Sequence, residues 1–124
     1  MGAKFFADKN SVSQPCEDFY MGPQNPQGAP TYAVQPTDLA RLTTFNSAVP
    51  VAVTVPTPVN ADPVCSYGGT PNFYRGWFGV YKNIGGANCT FTPVGSVIDN
   101  VGSVILAPGQ SFTLYSNGVN WWTF

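Results

Sequence analysis

The chain has no histidine among its 124 residues. That removes the usual general base for serine and cysteine nucleophiles, and with it the commonest metal ligand. Charge is scarce too: Asp, Glu, Lys and Arg make up 9% of the residues and the net charge is -1, where an average soluble domain carries roughly a quarter. The surface must then consist largely of Ser, Thr, Asn, Gly and backbone. Such a coat suits a subunit built into an assembly better than a free monomer. No block of Lys or Arg offers the electrostatic footprint of a nucleic-acid binder, so no nucleic-acid partner is expected. No apolar run approaches the roughly 18 residues of a membrane span. The opening MGAKFFADKN lacks the apolar region of a signal peptide, and Phe6 at the sixth position breaks the N-myristoylation pattern. No membrane partner is expected either.

Cysteine is sparse and oddly numbered. Cys16, Cys65 and Cys89 have no C-x-x-C spacing, so they read as reduced, partly buried thiols rather than a disulfide framework or a zinc site. Asn88-Cys89-Thr90 matches the glycosylation triplet and is read as a chance occurrence. Acid-base chemistry would fall to the carboxylates. Glu17 and Asp18 are adjacent near the start, while Asp38, Asp62 and Asp99 stand singly beside turn residues and read as turn-forming or solvated. A glycosidase needs two carboxylates about 5 to 9 Å apart, and only Asp62 with Asp99 would be available for it. No phosphate-binding glycine loop occurs; Gly68-Gly69 and Gly85-Gly86 read as turns. Catalytic residues, metal ligands and cofactors are all expected to be absent, and an enzyme is not expected.

What is abundant is aromatic and turn-forming. The chain ends LAPGQSFTLYSNGVNWWTF, and Asn117-Gly118 is the pair that a two-residue type I′ hairpin favours. Ser111 to Ser116 and Val119 to Phe124 should therefore pair as antiparallel strands. Pro108-Gly109 suits the centre of a type II turn, which makes Ser103 to Ala107 a preceding strand. Phe112 and Leu114 then share one face, and Ser111, Thr113 and Tyr115 the other. Trp121 and Trp122 must point to opposite faces, so only one of them enters the core.

Upstream, Val51, Val53 and Val55 alternate with Ala52 and Thr54 in a strand stopped by Pro56 and Pro58. Pro36-Thr37-Asp38 forms a single helical turn or the loop before Leu42 to Asn46. Phe73 to Lys82 reads as a long aromatic strand with a bulge or bend at Gly76 and Gly79. Cys89 to Thr92 and Val97-Ile98 follow between turns. About eight short strands with glycine and proline punctuation predict an all-β fold, an antiparallel β-sandwich or jelly-roll-like domain over 32–124. Residues 1–31 stand apart as an extended N-terminal arm. They carry Lys4, Asp8, Lys9, Glu17 and Asp18 and the turn-rich MGPQNPQGAP. Phe5, Phe6, Phe19 and Tyr20 make the segment too aromatic for a solvated linker, so it is expected to order on a partner or on its own domain.

Read together, TTFNSAVPVAVTVP, GWFGVYKNIGGANCTFTPVGSVIDN and SVILAPGQSFTLYSNGVNWWTF resemble a β-module of tailed-bacteriophage structural proteins, found in head and tail fibres and similar to capsid decoration, or cement, proteins. The likeness runs from Tyr32 to Phe124 and is densest over the last thirty residues, at Gly109, Ser111, Leu114, Ser116, Gly118, Asn120 and Trp121. These positions read as turn and core determinants. Here the residue after Trp121 is a second tryptophan. The resemblance implies a homotrimer on the outer surface of a phage head, made in the host cytoplasm and bound to the major capsid protein. Phe5, Phe6, Phe19 and Tyr20 would be the capsid-contacting residues, and Trp122 and Phe124 the subunit interface. Core packing beneath the arm and sugar stacking are the other readings of the terminal rings. In a contrasting reading the chain is an adhesion module that binds host glycans through Trp77, Tyr74, Tyr67 or Trp122.

Overall fold

A computed structural model of the chain describes residues 23–63 and 72–124. Within them lie nine strands: β1 Asn25–Gln27, β2 Thr31–Ala33, β3 Leu42–Phe45, β4 Val51–Val55, β5 Phe78–Asn83, β6 Cys89–Pro93, β7 Val104–Leu106, β8 Ser111–Ser116 and β9 Trp121–Thr123. The one helical element among the described residues is the 3₁₀ turn Pro36–Asp38. One sheet has five strands in the order β1-β3-β5-β8-β9, and the other has four in the order β2-β4-β6-β7. The all-β expectation holds. Antiparallel pairing throughout does not, because four of the seven strand pairings are parallel, and the arrangement differs accordingly from the jelly-roll-like one expected.

The cause is the path of the chain. From β1 to β6 successive strands alternate between the two sheets, so strands adjacent within a sheet are two apart in sequence and run the same way. Only β6–β7 and β8–β9 are sequential antiparallel neighbours. The Pro108-Gly109 turn forms as expected, with Gly109 at φ 83° and Gln110 N donating to Ala107 O at 3.0 Å. It does not fold β7 back onto β8, however. It carries the chain from the four-stranded sheet to the five-stranded one.

The N-terminal segment is not wholly separate from the domain. β1, which falls inside 1–31, pairs in parallel with β3 through Asn25↔Thr43, Pro26↔Thr44 and Gln27↔Phe45. Extended backbone between the turn residues Pro23 and Gly28 is sufficient for this edge strand, and no hydrophobic alternation announces it. The long strand expected over Phe73 to Lys82 begins only at Phe78. Phe73 at φ 50° and Gly76 at φ 96° make its first half a turn, which tucks Phe73 and Trp77 inward.

Side chains from both layers fill the space between them. Val51, Val53 and Val55 are buried while Ala52 and Thr54 are exposed, as their alternation requires, and each buried valine contributes about 1.5–3 kcal/mol. Phe91 of β6 meets Phe45, Tyr81 and Phe112 of the opposite sheet at centroid distances of 5.9, 5.3 and 4.9 Å. Toward one end, Phe73, Trp77 and Trp121 form a triad of edge-to-face rings 5.0 to 5.7 Å apart. Both indole N–H groups are satisfied: Trp77 Nε1 donates to Pro36 O and Trp121 Nε1 to Pro56 O. Asn83, also buried, joins the layers by donating from Nδ2 to Ala87 O at 2.7 Å and Leu106 O at 2.9 Å, and its Oδ1 accepts from Gly85 N.

Asp38 departs most from expectation. It is not solvated; its residue is 1% exposed. Tyr32 Oη lies 2.8 Å from both carboxylate oxygens, Tyr81 Oη donates to Oδ2 at 3.0 Å, Gln35 N donates to Oδ2 at 3.1 Å and Asn25 Nδ2 to Oδ1 at 3.3 Å. Burial, followed by the carboxylate's bond and charge, raises the Tyr32 phenol above the ordinary tyrosine value, and burial with the Asp38 charge raises Tyr81 well above it. The native state therefore holds these protons more tightly than the unfolded chain. Stability from this source is complete below about pH 10 and is lost as pH rises through the folded values. Tyr81→Phe should destabilise the fold by about 1.5–3 kcal/mol, the contribution of a hydrogen bond to a charged group. Its unfolding midpoint above pH 10 should also fall less steeply than that of the parent, as followed by circular dichroism in urea.

Candidate interaction face

The outward side chains of the five-stranded sheet are set by the same alternation that buries Phe45, Tyr81, Leu114 and Trp121. Cross-strand register places Phe78, Tyr115 and Trp122 in one row. A second row holds Leu42, Val80 and Thr113, and Phe124 extends it, since Thr113 and Phe124 exchange backbone hydrogen bonds of 2.9 and 3.0 Å. The third row is polar: Lys82 and Ser111 lie at the surface, while Thr44 beside them is buried and accepts a hydrogen bond from Gln24 Nε2 at 3.2 Å. An apolar surface thus grades into a polar margin across three residues of strand. Phe124 is 80% exposed although its backbone is pinned on both sides, and its ring meets Tyr115 edge-to-face at 6.2 Å. Trp122 is half-buried and Trp121 fully buried, so the two tryptophans divide between the faces as adjacent strand residues must.

The hairpin that carries this face turns differently from expectation. Register pairs Ser116 with Trp121, and Asn117 N donates to Asn120 O at 3.1 Å, so the central residues are Gly118 and Val119. Gly118 takes φ 91°, while Asn117 keeps a negative φ and uses its side chain instead: Oδ1 accepts from Val119 N at 2.9 Å and Asn120 N at 2.8 Å. This glycine also packs closely. A Cβ there would stand 2.5 Å from Arg75 Cγ. The type I′ geometry expected at Asn117-Gly118 occurs at Asp99-Asn100, where two successive residues have φ of 52° and 62° and Ile98 and Val101 exchange backbone bonds of 3.1 and 2.9 Å.

That second turn closes the outer edge of β9. Trp121 N donates to Val97 O at 2.9 Å, Asp99 N to Trp121 O at 3.0 Å, and Thr123 N to Asp99 Oδ1 at 2.8 Å, while Thr123 Oγ1 donates to Asp99 Oδ2. Both outward backbone groups of Trp121 and the N–H of Thr123 are therefore occupied from within the chain. The outward positions of the four-stranded sheet are different in kind: Thr31, Ala33, Ala52, Thr54 and Thr92 are exposed and small or hydroxylated, with Ile105 the large apolar exception.

Of the residues singled out from sequence, Trp122 and Phe124 come together on this face. Phe5, Phe6, Phe19 and Tyr20 lie outside the described residues, as do Cys16, Cys65 and Tyr67. Trp77 is buried in the ring triad and offers no face to a sugar, and Tyr74 is half-buried against the core. Asp62 accepts from Arg75 at 2.8 Å and Asp99 caps Thr123, so each carboxylate has a separate structural partner. Cys89 is a free, buried thiol, and burial raises its pKa. The Asp38 cluster was not foreseen, because its members, Asn25, Tyr32, Asp38 and Tyr81, share no local spacing that would signal it. Among the described residues no group of three or more His, Cys, Asp or Glu stands together as metal ligands, and no helix is long and apolar enough to cross a membrane.

No family model, curated protein or solved structure matches the chain.

The two tryptophans should respond differently to the same change. Trp121→Ser removes a fully buried indole and should cost about 3–5 kcal/mol, as large-to-small core substitutions do. Trp122→Ser should leave most of that stability in place. Chemical denaturation followed by far-ultraviolet circular dichroism distinguishes them, and equal losses would mean that the outer ring is as integral to the fold as the inner one.

Proposed function

We propose that this chain is a structural protein of a tailed-bacteriophage virion, a capsid decoration protein that binds the outer head surface and stabilises the shell as a homotrimer. The observation that carries the reading is the outward apolar face of β5, β8 and β9, ending in the pinned, solvent-exposed ring of Phe124. Low charge and the phage-module resemblance over the last thirty residues support it. In closed cyclic symmetry each copy offers the same patch to a neighbour, so the rows Phe78–Tyr115–Trp122 and Val80–Thr113–Phe124 would be buried once per subunit. Full burial of one aromatic side chain contributes on the order of 2–3 kcal/mol before the entropy of association is subtracted. Trp122 and Phe124 are then subunit-interface residues. The major capsid protein is the second partner, contacted by the N-terminal segment through Phe5, Phe6, Phe19 and Tyr20.

Association and shell binding are separable. Light scattering at micromolar concentration should give a mass near three times 13.2 kDa, and Phe124→Ser with Trp122→Ser should shift it toward one subunit while circular dichroism stays native. A parent protein that stays monomeric overturns the trimer. Full-length protein should sediment with empty phage heads and raise the temperature at which they rupture, since a ligand that prefers the intact shell stabilises it by mass action. Protein that ignores heads and sediments with host cell envelopes would replace this reading with the adhesion one.

A further inference from the structure

The hairpin end that packs beneath Arg75 contains the dipeptide Asn117-Gly118, in which the unhindered glycine nitrogen is the best placed of all backbone amides to attack a preceding asparagine side chain. In that reaction the Gly118 nitrogen, having lost its proton to solvent base, forms a bond to Asn117 Cγ. Nδ2 takes a proton back from solvent, the Cγ–Nδ2 bond breaks and ammonia leaves. Water then opens the resulting succinimide on either side, giving aspartate or isoaspartate. Two things are needed: a free Gly118 N–H and an Asn117 side chain that can swing its Cγ onto that nitrogen.

The fold denies both. Gly118 N donates to Ser116 Oγ at 3.1 Å, and that buried hydroxyl is itself fixed by donating to Phe73 O at 3.0 Å. Asn117 Oδ1 accepts from the N–H groups of Val119 and Asn120, two bonds that restrain the side chain whose Cγ would have to move. Gly118 is buried, with Arg75 Cγ and Asn60 Oδ1 close against the place a side chain would occupy. Arg75 is itself anchored there by bonds to Asn60 Oδ1 at 2.7 Å and to Asp62. We infer that Asn117 is a deamidation site silenced by the native loop, which becomes reactive only when the hairpin end opens and so records that opening irreversibly.

The two products differ in consequence. An aspartate at position 117 retains an oxygen for the Val119 and Asn120 amides. Isoaspartate lengthens the backbone by one atom between residues 117 and 118, which displaces Gly118 from beneath Arg75 and breaks the Ser116↔Trp121 register behind it. A chain carrying isoaspartate there loses the alignment that sends Trp121 inward and Trp122 outward.

The test is a rate comparison on the full chain, held in mildly alkaline buffer at a series of urea concentrations and assayed by peptide mapping with mass spectrometry for amide-to-acid conversion at Asn117. Conversion in native buffer should be slower than in the unfolded chain by about a hundredfold or more, with the rate rising with the open population, since a loop tied into the core opens only at appreciable free-energy cost. Equal rates in native and unfolded protein would overturn the inference. Ser116→Ala, which frees the Gly118 N–H, should raise the native rate beyond what its own unfolded fraction, measured in parallel by circular dichroism, accounts for. A rate that follows the unfolded fraction alone in that variant would remove the Ser116 bond from the protection.

Discussion

A carboxylate withdrawn from water is costly unless hydrogen bonds replace its hydration, and Asp38 is placed where that requirement constrains several parts of the chain at once. Four neutral groups supply the replacement: the phenols of Tyr32 and Tyr81, the amide of Asn25 and the backbone of Gln35. They come from β2, β5, β1 and the start of the 3₁₀ turn. Through one side chain, the edge of the four-stranded sheet, the centre of the five-stranded sheet and its first strand are referred to a common point. A short edge strand such as β1, three residues long with a proline at its middle, has little else to fix it. Its inward side chains are Asn25 and Gln27, and the bonds of the Asn25 amide to Asp38 and Thr43 fix its register on β3.

The same point explains why the chain alternates between layers without losing order. Parallel neighbours cannot be joined by a tight hairpin, so each of β1 to β6 must be located by what it meets across the gap rather than by the turn before it. The rings do this in the middle, where Phe91 is enclosed by Phe45, Tyr81 and Phe112. Polar side chains do it at the margins. Asn83 spans from β5 to the carbonyl of Leu106, and Ser116 reaches the carbonyl of Phe73. Each is buried and has its hydrogen bonds satisfied, which is the condition under which a buried polar group specifies an arrangement instead of weakening it.

Local patterns were legible in the sequence and long-range partnerships were not. Val51 to Val55, the strands flanking the last hairpin and the Pro108-Gly109 turn all follow from alternation and turn chemistry within a few residues, and all are present. The turn forms one residue later than the Asn-Gly pair implies, because Asn-Gly favours positive φ at both positions and nothing local signals that Ser116 and Arg75 draw Gly118 inward. Its displacement moves the pairing of the strands by two residues, so every side chain keeps its face, and the outward placement of Trp122 survived the error. Parallel pairing could not be read, since it depends on which layer each strand joins. Asp38, two residues after Pro36, reads as any solvated turn aspartate, and only tyrosines 6 and 43 residues away in sequence make it a core residue.

The β9 edge of the five-stranded sheet and the face beside it differ in what they offer another molecule. A strand edge with free N–H and C=O groups invites pairing with another chain, and proteins commonly obstruct such edges. Along β9 the obstruction is the Asp99-Asn100 turn, whose two positive-φ residues bring a carboxylate onto Thr123 and whose flanks bond Trp121 on both its N–H and its C=O. Two non-glycine residues in the left-handed region carry a conformational cost, and here they accompany an edge left with little to offer a partner strand. The apolar rows next to that edge remain on the face, with Phe124 held out by paired backbone. In the homotrimer proposed above, association at β9 would rest on side chains packing face against face, where shape and ring placement discriminate between partners, rather than on backbone pairing, which accepts almost any extended chain. A closed edge beside an apolar face is what the proposed homotrimer would require to join its own kind without propagating a sheet.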